Sequence, residues 1–223
     1  MTGRLTFVLA GALALSVLLT GCGSGGKKAV TTTLSASVES KNGCDVVALP
    51  PLKARKETAP KTRLAKTKVY DVTMVTNCGT FTIRMDQAQS PNAAASFVTL
   101  VQRGFFDKTI FHRIVPGFVI QGGDPTGTGT GGPGYETVDT PPKNASYTHG
   151  VVAMAKTATE PPGTAGSQFF IVTVKDAGLP PDYAIIGKVV KGLPVVDHIG
   201  TLGDSSQQPT QVVEIKRATV KVR

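Results

Sequence analysis

One stretch restricts this chain more than any other: Phe111-His112-Arg113-Ile114-Val115-Pro116-Gly117-Phe118-Val119-Ile120-Gln121-Gly122-Gly123-Asp124. It reads as strand at both ends, Phe111–Val115 and Val119–Gln121, broken by a Pro-Gly pair that turns the chain. Arg113 carries a permanent charge two residues into an otherwise apolar run. Burying a guanidinium without partners is costly, so Arg113 is expected to line a cleft rather than a dry core. Gln121 adds a second polar group and Phe118 a large apolar one from the same ribbon. Arg, Gln and Phe converging on one face describe a site for an apolar ligand with a carbonyl or amide handle.

The 223 residues fit one good-sized domain plus an appendage. Gly 25 and Pro 15 imply many turns, which favours β structure over a helical bundle. The net charge of +9 raises the question of nucleic acid. Much of the excess falls between Lys27 and Lys68, with no aromatic-rich basic ribbon beside it. A solvated or membrane-facing basic tether fits better, and nucleic acid is not an expected partner.

The amino terminus supports that placement. Arg4 precedes an apolar run, Leu5–Leu19, that falls short of the roughly 20 residues a bilayer span needs. It reads as a secretory signal peptide. Leu19-Thr20-Gly21-Cys22 resembles the lipobox of bacterial lipoproteins, in which the cysteine is acylated and becomes the first residue. The resemblance implies a signal peptide at 1–21, a lipid anchor at Cys22 and a location outside the cytoplasmic membrane. Two acyl chains suffice for stable attachment. Residues 22–67, rich in Gly, Ser, Thr, Pro and Lys, then read as a flexible basic tether, with some apolar character in Asp45-Val46-Val47-Ala48-Leu49. Cys44 and Cys78 remain as one possible disulfide pair, which an extracytoplasmic location permits. Two free thiols are the alternative.

From Lys68 onward the pattern is that of a domain. Val69–Val75 and Thr80–Met85 alternate, with Tyr70, Val72 and Met74 on one face of the first and Phe81, Ile83 and Met85 on one face of the second. Asn77-Cys78-Gly79 joins them as a hairpin. A helix follows, with Ser90 at the N-cap, Pro91 in the first turn, and Gly104 past the end. Val151–Met154, Gln168–Val172, Ile185–Val190 and Val212–Val222 read as further strands, and Pro194–Ile199 as a short helix ended by Gly200.

FHRIVPGFVIQGGD, followed by Met154-Ala155 and by Gly166-Ser167-Gln168-Phe169-Phe170-Ile171, resembles the cyclophilin peptidyl-prolyl isomerases from about Lys68 to Arg223. The resemblance implies a mostly β fold: a closed eight-stranded antiparallel barrel capped by two helices, with a packed interior and a groove on its outer face. It implies isomerisation of X-Pro bonds without a cofactor, by a monomer acting on proline-containing polypeptides. Arg113, Gln121 and Phe118 become the catalytic candidates. Val119, Phe170 and Leu179 join Phe118 around the proline ring. Ala155, Lys156, Gln168 and Tyr183 complete the groove. Gly178 stands where many members carry Trp, and Tyr183 where many carry His. The missing flat contact predicts weak cyclosporin binding. Val119 replaces a common Met, which predicts a shallower pocket floor.

Other chemistries fit poorly. His112, His149 and His198 lack metal-ligand spacing and no Cys-x-x-Cys exists, so no metal is expected. Ser167 lies in Gly-Ser-Gln rather than a nucleophile elbow. Gly127, Gly129 and Gly132 satisfy G-x-G-x-x-G, but Pro133-Gly134 follows where a dinucleotide fold needs a helix. A rim loop is the better reading. The rival functions are a non-catalytic chaperone or scaffold holding proline segments in the same groove, and a structural envelope lipoprotein.

Overall fold

The computed structural model describes residues 39–223. The signal peptide expected at 1–21, the lipid-anchor site expected at Cys22 and the first part of the expected tether lie outside the described residues.

Residues 39–67 have the composition of a spacer, yet they lie along the barrel. Strand β1 (Ser40–Lys41) pairs with β2 (Cys44–Asp45) across Asn42-Gly43, both at positive φ, the twist a two-residue hairpin needs. Cys44 is disulfide-bonded to Cys78, so the two free thiols of the alternative reading are not present. The Asp45 amide donates to Asn77 O at 2.8 Å and Lys216 Nζ pairs with Asp45 Oδ2 at 2.7 Å. Further on, Arg55 donates to the carbonyls of Phe105 and Asp107. The free-tether reading therefore does not describe residues 39–67. Their order comes from hydrogen bonds to carbonyls of another part of the chain, which composition does not report.

The barrel begins with a hairpin whose pattern dictates it. In β3 (Tyr70–Thr76) alternate residues are buried, and β4 (Gly79–Met85) buries Phe81, Ile83 and Met85. Period-two burial places one face of each strand inside. Helix α1 (Pro91–Gln102) lays Ala93, Ala94, Phe97, Leu100 and Val101 against one end. Gly104, at φ +68°, turns the chain after it. Ser90 occupies the N-cap but its hydroxyl makes no cap bond. Asp139 serves instead, accepting the N–H groups of Asn92 at 2.8 Å and Ala93 at 2.6 Å. A carboxylate satisfying those orphan donors also suits the positive end of the helix.

The remaining elements are β5 (Thr109–Val115), β6 (Val119–Gly122), β7 (Thr137–Val138), β8 (Val151–Met154), β9 (Thr164–Ala165), β10 (Phe169–Val172), β11 (Ile185–Lys191), α2 (Leu193–Gly200) and β12 (Glu214–Val222). Eight strands close in the order β10-β6-β5-β12-β3-β4-β11-β8, and every pairing in the ring is antiparallel. The mostly β fold is thus a closed eight-stranded antiparallel barrel with two helices. Closure leaves no strand edge unpaired. Phe81, Phe97, Phe106, Phe111 and Phe169 fill the interior, with ring pairs 4.8–6.5 Å apart. Among the described residues most aromatics lie there or in one outer patch.

Candidate functional site

That patch lies outside β6, β8 and β10. Val119, Ala153, Phe170 and Val172 point away from the barrel interior and form a second apolar cluster with Phe118, Leu179 and Tyr183. Phe169 and Phe170 divide as alternation requires, one inside and one outside.

Arg113 reaches the same face through a β-bulge. Simple alternation along β5 would turn Arg113 inward with Phe111. The pairing with β6 shifts between Phe111 and Arg113, so that Phe111 faces Gly122 while Arg113 faces Gln121. The extra residue, His112, is absorbed there, and Phe111 and Ile114 both remain in the core. The bulge thereby aims Arg113 outward beside Gln121. His112 is buried with neither ring nitrogen hydrogen-bonded. Burial lowers its pKa against the pull of Asp124, which keeps the ring neutral beside the guanidinium.

Arg113, Phe118, Val119, Gln121, Ala155, Lys156, Phe170, Leu179 and Tyr183 line one cavity of about 180 Å³. This is below the roughly 300 Å³ at which sites for drug-sized ligands begin, and suits one small apolar ring. Gln168 lies on an adjoining depression of about 560 Å³ that shares Gln121, Ala155 and Lys156 with the first. All ten groove residues read from the sequence therefore meet in one continuous surface.

Hydrogen bonds give this surface a direction. Gln168 Nε2 donates to the carbonyls of Gly129 and Gly131, at 2.9 and 3.0 Å. Carbonyls only accept, so the Gln168 amide has one orientation and its oxygen faces Gln121. Gln121 Nε2 donates to that oxygen at 3.1 Å, and its own oxygen accepts from Arg113 Nη1 at 3.1 Å. Gln207 Oε1 accepts from Arg113 Nε at 2.7 Å. Both partners of the guanidinium are neutral. It forms no ion pair with Asp124 or with any other acid among the described residues. Asp124 is occupied elsewhere: its carboxylate accepts from Thr126, Gly129 and Gly131, which fixes the glycine-rich loop.

Lys156 divides at its backbone. Its side chain is only 4% exposed, donates to the carbonyls of Thr157 and Glu160, and passes over the Tyr183 ring. The ammonium is thus folded away, although Lys156 and Ala155 both line the groove.

Two groups lay beyond sequence reasoning. Gln207 comes from the loop before β12, where it adopts φ +65° and Asp204 accepts the Ser206 and Gln208 amides. Only its place in space connects it with Arg113. Tyr147 is 1% exposed, and its hydroxyl donates to Tyr183 O at 2.8 Å and accepts from Tyr183 N at 2.9 Å. It fixes the backbone of the wall residue, while Phe170 packs edge-on to the Tyr183 ring at 5.4 Å. Among the described residues no three His, Cys, Asp or Glu side chains are grouped to hold a metal ion.

Known proteins resemble this chain over the barrel. Residues 71–220 match the family described as cyclophilin type peptidyl-prolyl cis-trans isomerase. Peptidyl-prolyl cis-trans isomerase CYP18-2 of Arabidopsis thaliana is 38% identical over 155 residues, covering 67% of this chain and 93% of that protein. Peptidyl-prolyl cis-trans isomerase-like 1 of Neurospora crassa is 39% identical over 155 residues, covering 67% and 93%. A cyclophilin type peptidyl-prolyl cis-trans isomerase of Cryptosporidium parvum, solved in the presence of the dipeptide Ala-Pro, superimposes with a TM-score of 0.63 at 34% identity. It covers 68% of this chain and 98% of its own.

Proposed function

The chain belongs to the cyclophilin-type peptidyl-prolyl cis-trans isomerases, and from that premise we propose that its substrates are exported or cell-envelope polypeptides, met outside the cytoplasmic membrane by an enzyme anchored through Cys22. The Leu19-Thr20-Gly21-Cys22 motif supports the anchor. The Cys44–Cys78 bridge supports the location, because disulfides persist in oxidising compartments.

The observation that carries the catalytic reading is a guanidinium held by two neutral amides at the rim of a small apolar pocket. An X-Pro bond rotates against a barrier of about 18–20 kcal/mol that arises from amide conjugation. As the bond twists, the imide nitrogen pyramidalises and gains a lone pair. Arg113 then donates to that nitrogen, an interaction the planar ground state does not offer. Binding that strengthens only at the twisted geometry lowers the barrier.

The other roles follow from position. Phe118, Val119, Phe170 and Leu179 hold the proline ring, as the Ala-Pro dipeptide used with the Cryptosporidium parvum relative suggests. Gln121 orients Arg113 and bonds the substrate backbone. Ala155 and Lys156 present main chain to the residue before proline, Gln168 extends the polar edge, and Tyr183 closes the far wall.

The test is a protease-coupled isomerisation assay with exchange NMR on an Ala-Pro peptide. Arg113→Ala is expected to lower kcat/KM by about 10²–10³, the cost of removing one aimed donor. Peptide binding with unchanged line broadening in the variant would refute the role of Arg113. For the location, fatty-acid labelling of cells is expected to mark the chain and not Cys22→Ala. Unlabelled wild type removes the anchor.

A further inference from the structure

We propose that residues 52–57 are positioning residues for the isomerase site, holding the glycine-rich loop so that its carbonyls orient the Gln168–Gln121–Arg113 relay. The inference rests on the isomerase reading of that site and extends its machinery into a segment that precedes the family match at residues 71–220.

The segment grips the loop at both ends. Lys53 N donates to Pro125 O at 3.0 Å and Glu57 N donates to Pro133 O at 2.8 Å. Just before Lys53, Leu52 lies over Gly127, so close that a Cβ there would stand 2.5 Å from Leu52 Cδ1. Gly127 also has φ +69°, a conformation that favours glycine, and its missing side chain leaves room for Leu52. The segment is fixed in turn. Arg55 donates to Asp107 O at 2.9 Å and to Phe105 O, past the end of α1, and stacks over the Phe105 ring at 5.9 Å. Arg103 pairs with Glu57 at 3.0 Å. The disulfide fastens the upstream hairpin to the barrel.

The loop is therefore held between two partners. Asp124 draws its Gly129 and Gly131 amides inward, while residues 52–57 hold Pro125 and Pro133 from outside. The Gly129 and Gly131 carbonyls are the two acceptors that set the Gln168 amide. If the loop moves, Gln168 loses the contacts that dictate its orientation, Gln121 is free to flip, and Nη1 of Arg113 loses its acceptor. Small displacements of a positioned group cost rate more than binding.

Proline and alanine substitutions separate the backbone bonds from everything else. In the full chain, Lys53→Pro with Glu57→Pro removes both donating N–H groups, and the alanine pair, Lys53→Ala with Glu57→Ala, keeps them and loses only an exposed ion pair of Glu57, since Arg103 still donates to Thr58 O at 2.8 Å. On an Ala-Pro oligopeptide the proline pair is expected to lower kcat about tenfold with KM within twofold, while the alanine pair stays within twofold of wild type. The side-chain amide NMR signals of Gln121 and Gln168 should shift only in the proline pair. Equal kcat in the two pairs overturns the proposal, whether or not the Gly127 and Gly129 signals move. If the proline pair fails to fold, Leu52→Ala is read in the same way: lowered kcat with displaced Gln168 signals supports the proposal, and unchanged kcat overturns it. Absence of turnover in wild type would instead sink the isomerase reading, and the Gln121 and Gln168 signals would still decide whether the segment sets the relay.

Discussion

Replacing Asp124 by asparagine tests the organisation of the site at its most concentrated point. Asp124 is fully buried. Its Oδ1 accepts from Thr126 N and Thr126 Oγ1, both at 2.7 Å, and its Oδ2 accepts from Gly129 N at 2.6 Å and Gly131 N at 3.1 Å. An asparagine keeps one acceptor, best used on Thr126, and turns an NH₂ group toward the two glycine donors. Two hydrogen bonds to a charge are lost, each worth about 1.5–3 kcal/mol when intact. Gly129 is exposed and its freed N–H can reach water, so the lower end applies: a loss of about 3 kcal/mol, or about 6–12 °C in Tm for a domain of this size. The pH dependence is a second signature. Burial, the largest influence, pushes the Asp124 pKa up, but the hydrogen bonds from Thr126, Gly131 and Gly129 together outweigh it and the net direction is down. A depressed carboxyl pKa contributes stability above the unfolded value of about 3.9 and loses it as pH falls through the folded value. The gap between wild type and Asp124→Asn, measured by urea unfolding, should be full at pH 7 and shrink steadily below about pH 4. A gap under about 1 kcal/mol at pH 7, or one unchanged at pH 2.5, would refute the assigned role.

Other outcomes are equally definite. The Cys44–Cys78 bridge spans 34 residues, so Cys44→Ala with Cys78→Ala should cost up to about 4 kcal/mol through the unfolded state, read as a Tm about 8–15 °C lower; a change under 2 °C would contradict it. Tyr147→Phe strands the Tyr183 N–H and should cost about 1–3 kcal/mol by urea unfolding while lowering kcat/KM only severalfold, and an unaltered unfolding midpoint would show that the hydroxyl carries nothing. Cyclosporin should inhibit weakly, since Gly178 offers no flat contact and no side chain lies within 4 Å of its Cβ position; submicromolar inhibition would show the inference wrong.

The barrel was legible because its information is local. Tyr70, Val72 and Met74, then Phe81, Ile83 and Met85, alternate in the sequence and are buried together in the structure. The groove was legible because three motifs carried seven of its ten residues, and the resemblance they established supplied Lys156, Leu179 and Tyr183; all ten meet. What escaped depends on contacts between distant segments. The charge of Arg113 placed it at a cleft, but the register shift at His112 that carries it there against strict alternation was not readable. Ser90 has the chemistry of an N-cap, but Asp139, far along the chain, satisfies the helix. Residues 39–67 look like spacer because their order is borrowed from carbonyls elsewhere.

The polarity of the relay suits the role proposed for Arg113, donation to an uncharged imide. A carboxylate beside it would orient the guanidinium, but would also cancel its field at the pocket and raise the cost of turning one donor toward substrate. Glutamine orients without cancelling. Gln121 and Gln207 each present an oxygen, and the first is compelled to do so because its own NH₂ group is already committed to Gln168. The commitment ends at two backbone carbonyls of the loop, acceptors that cannot reverse. A Gln168→Glu substitution places the contradiction at that end: a carboxylate cannot donate to Gly129 and Gly131, so it must repel them or be protonated. The loop should then release and kcat should fall, even though the groove gains negative charge rather than losing a catalytic group. If kcat instead held steady with Arg113 intact, the guanidinium would be oriented by Gln207 alone, and the relay from the loop would have no part in catalysis.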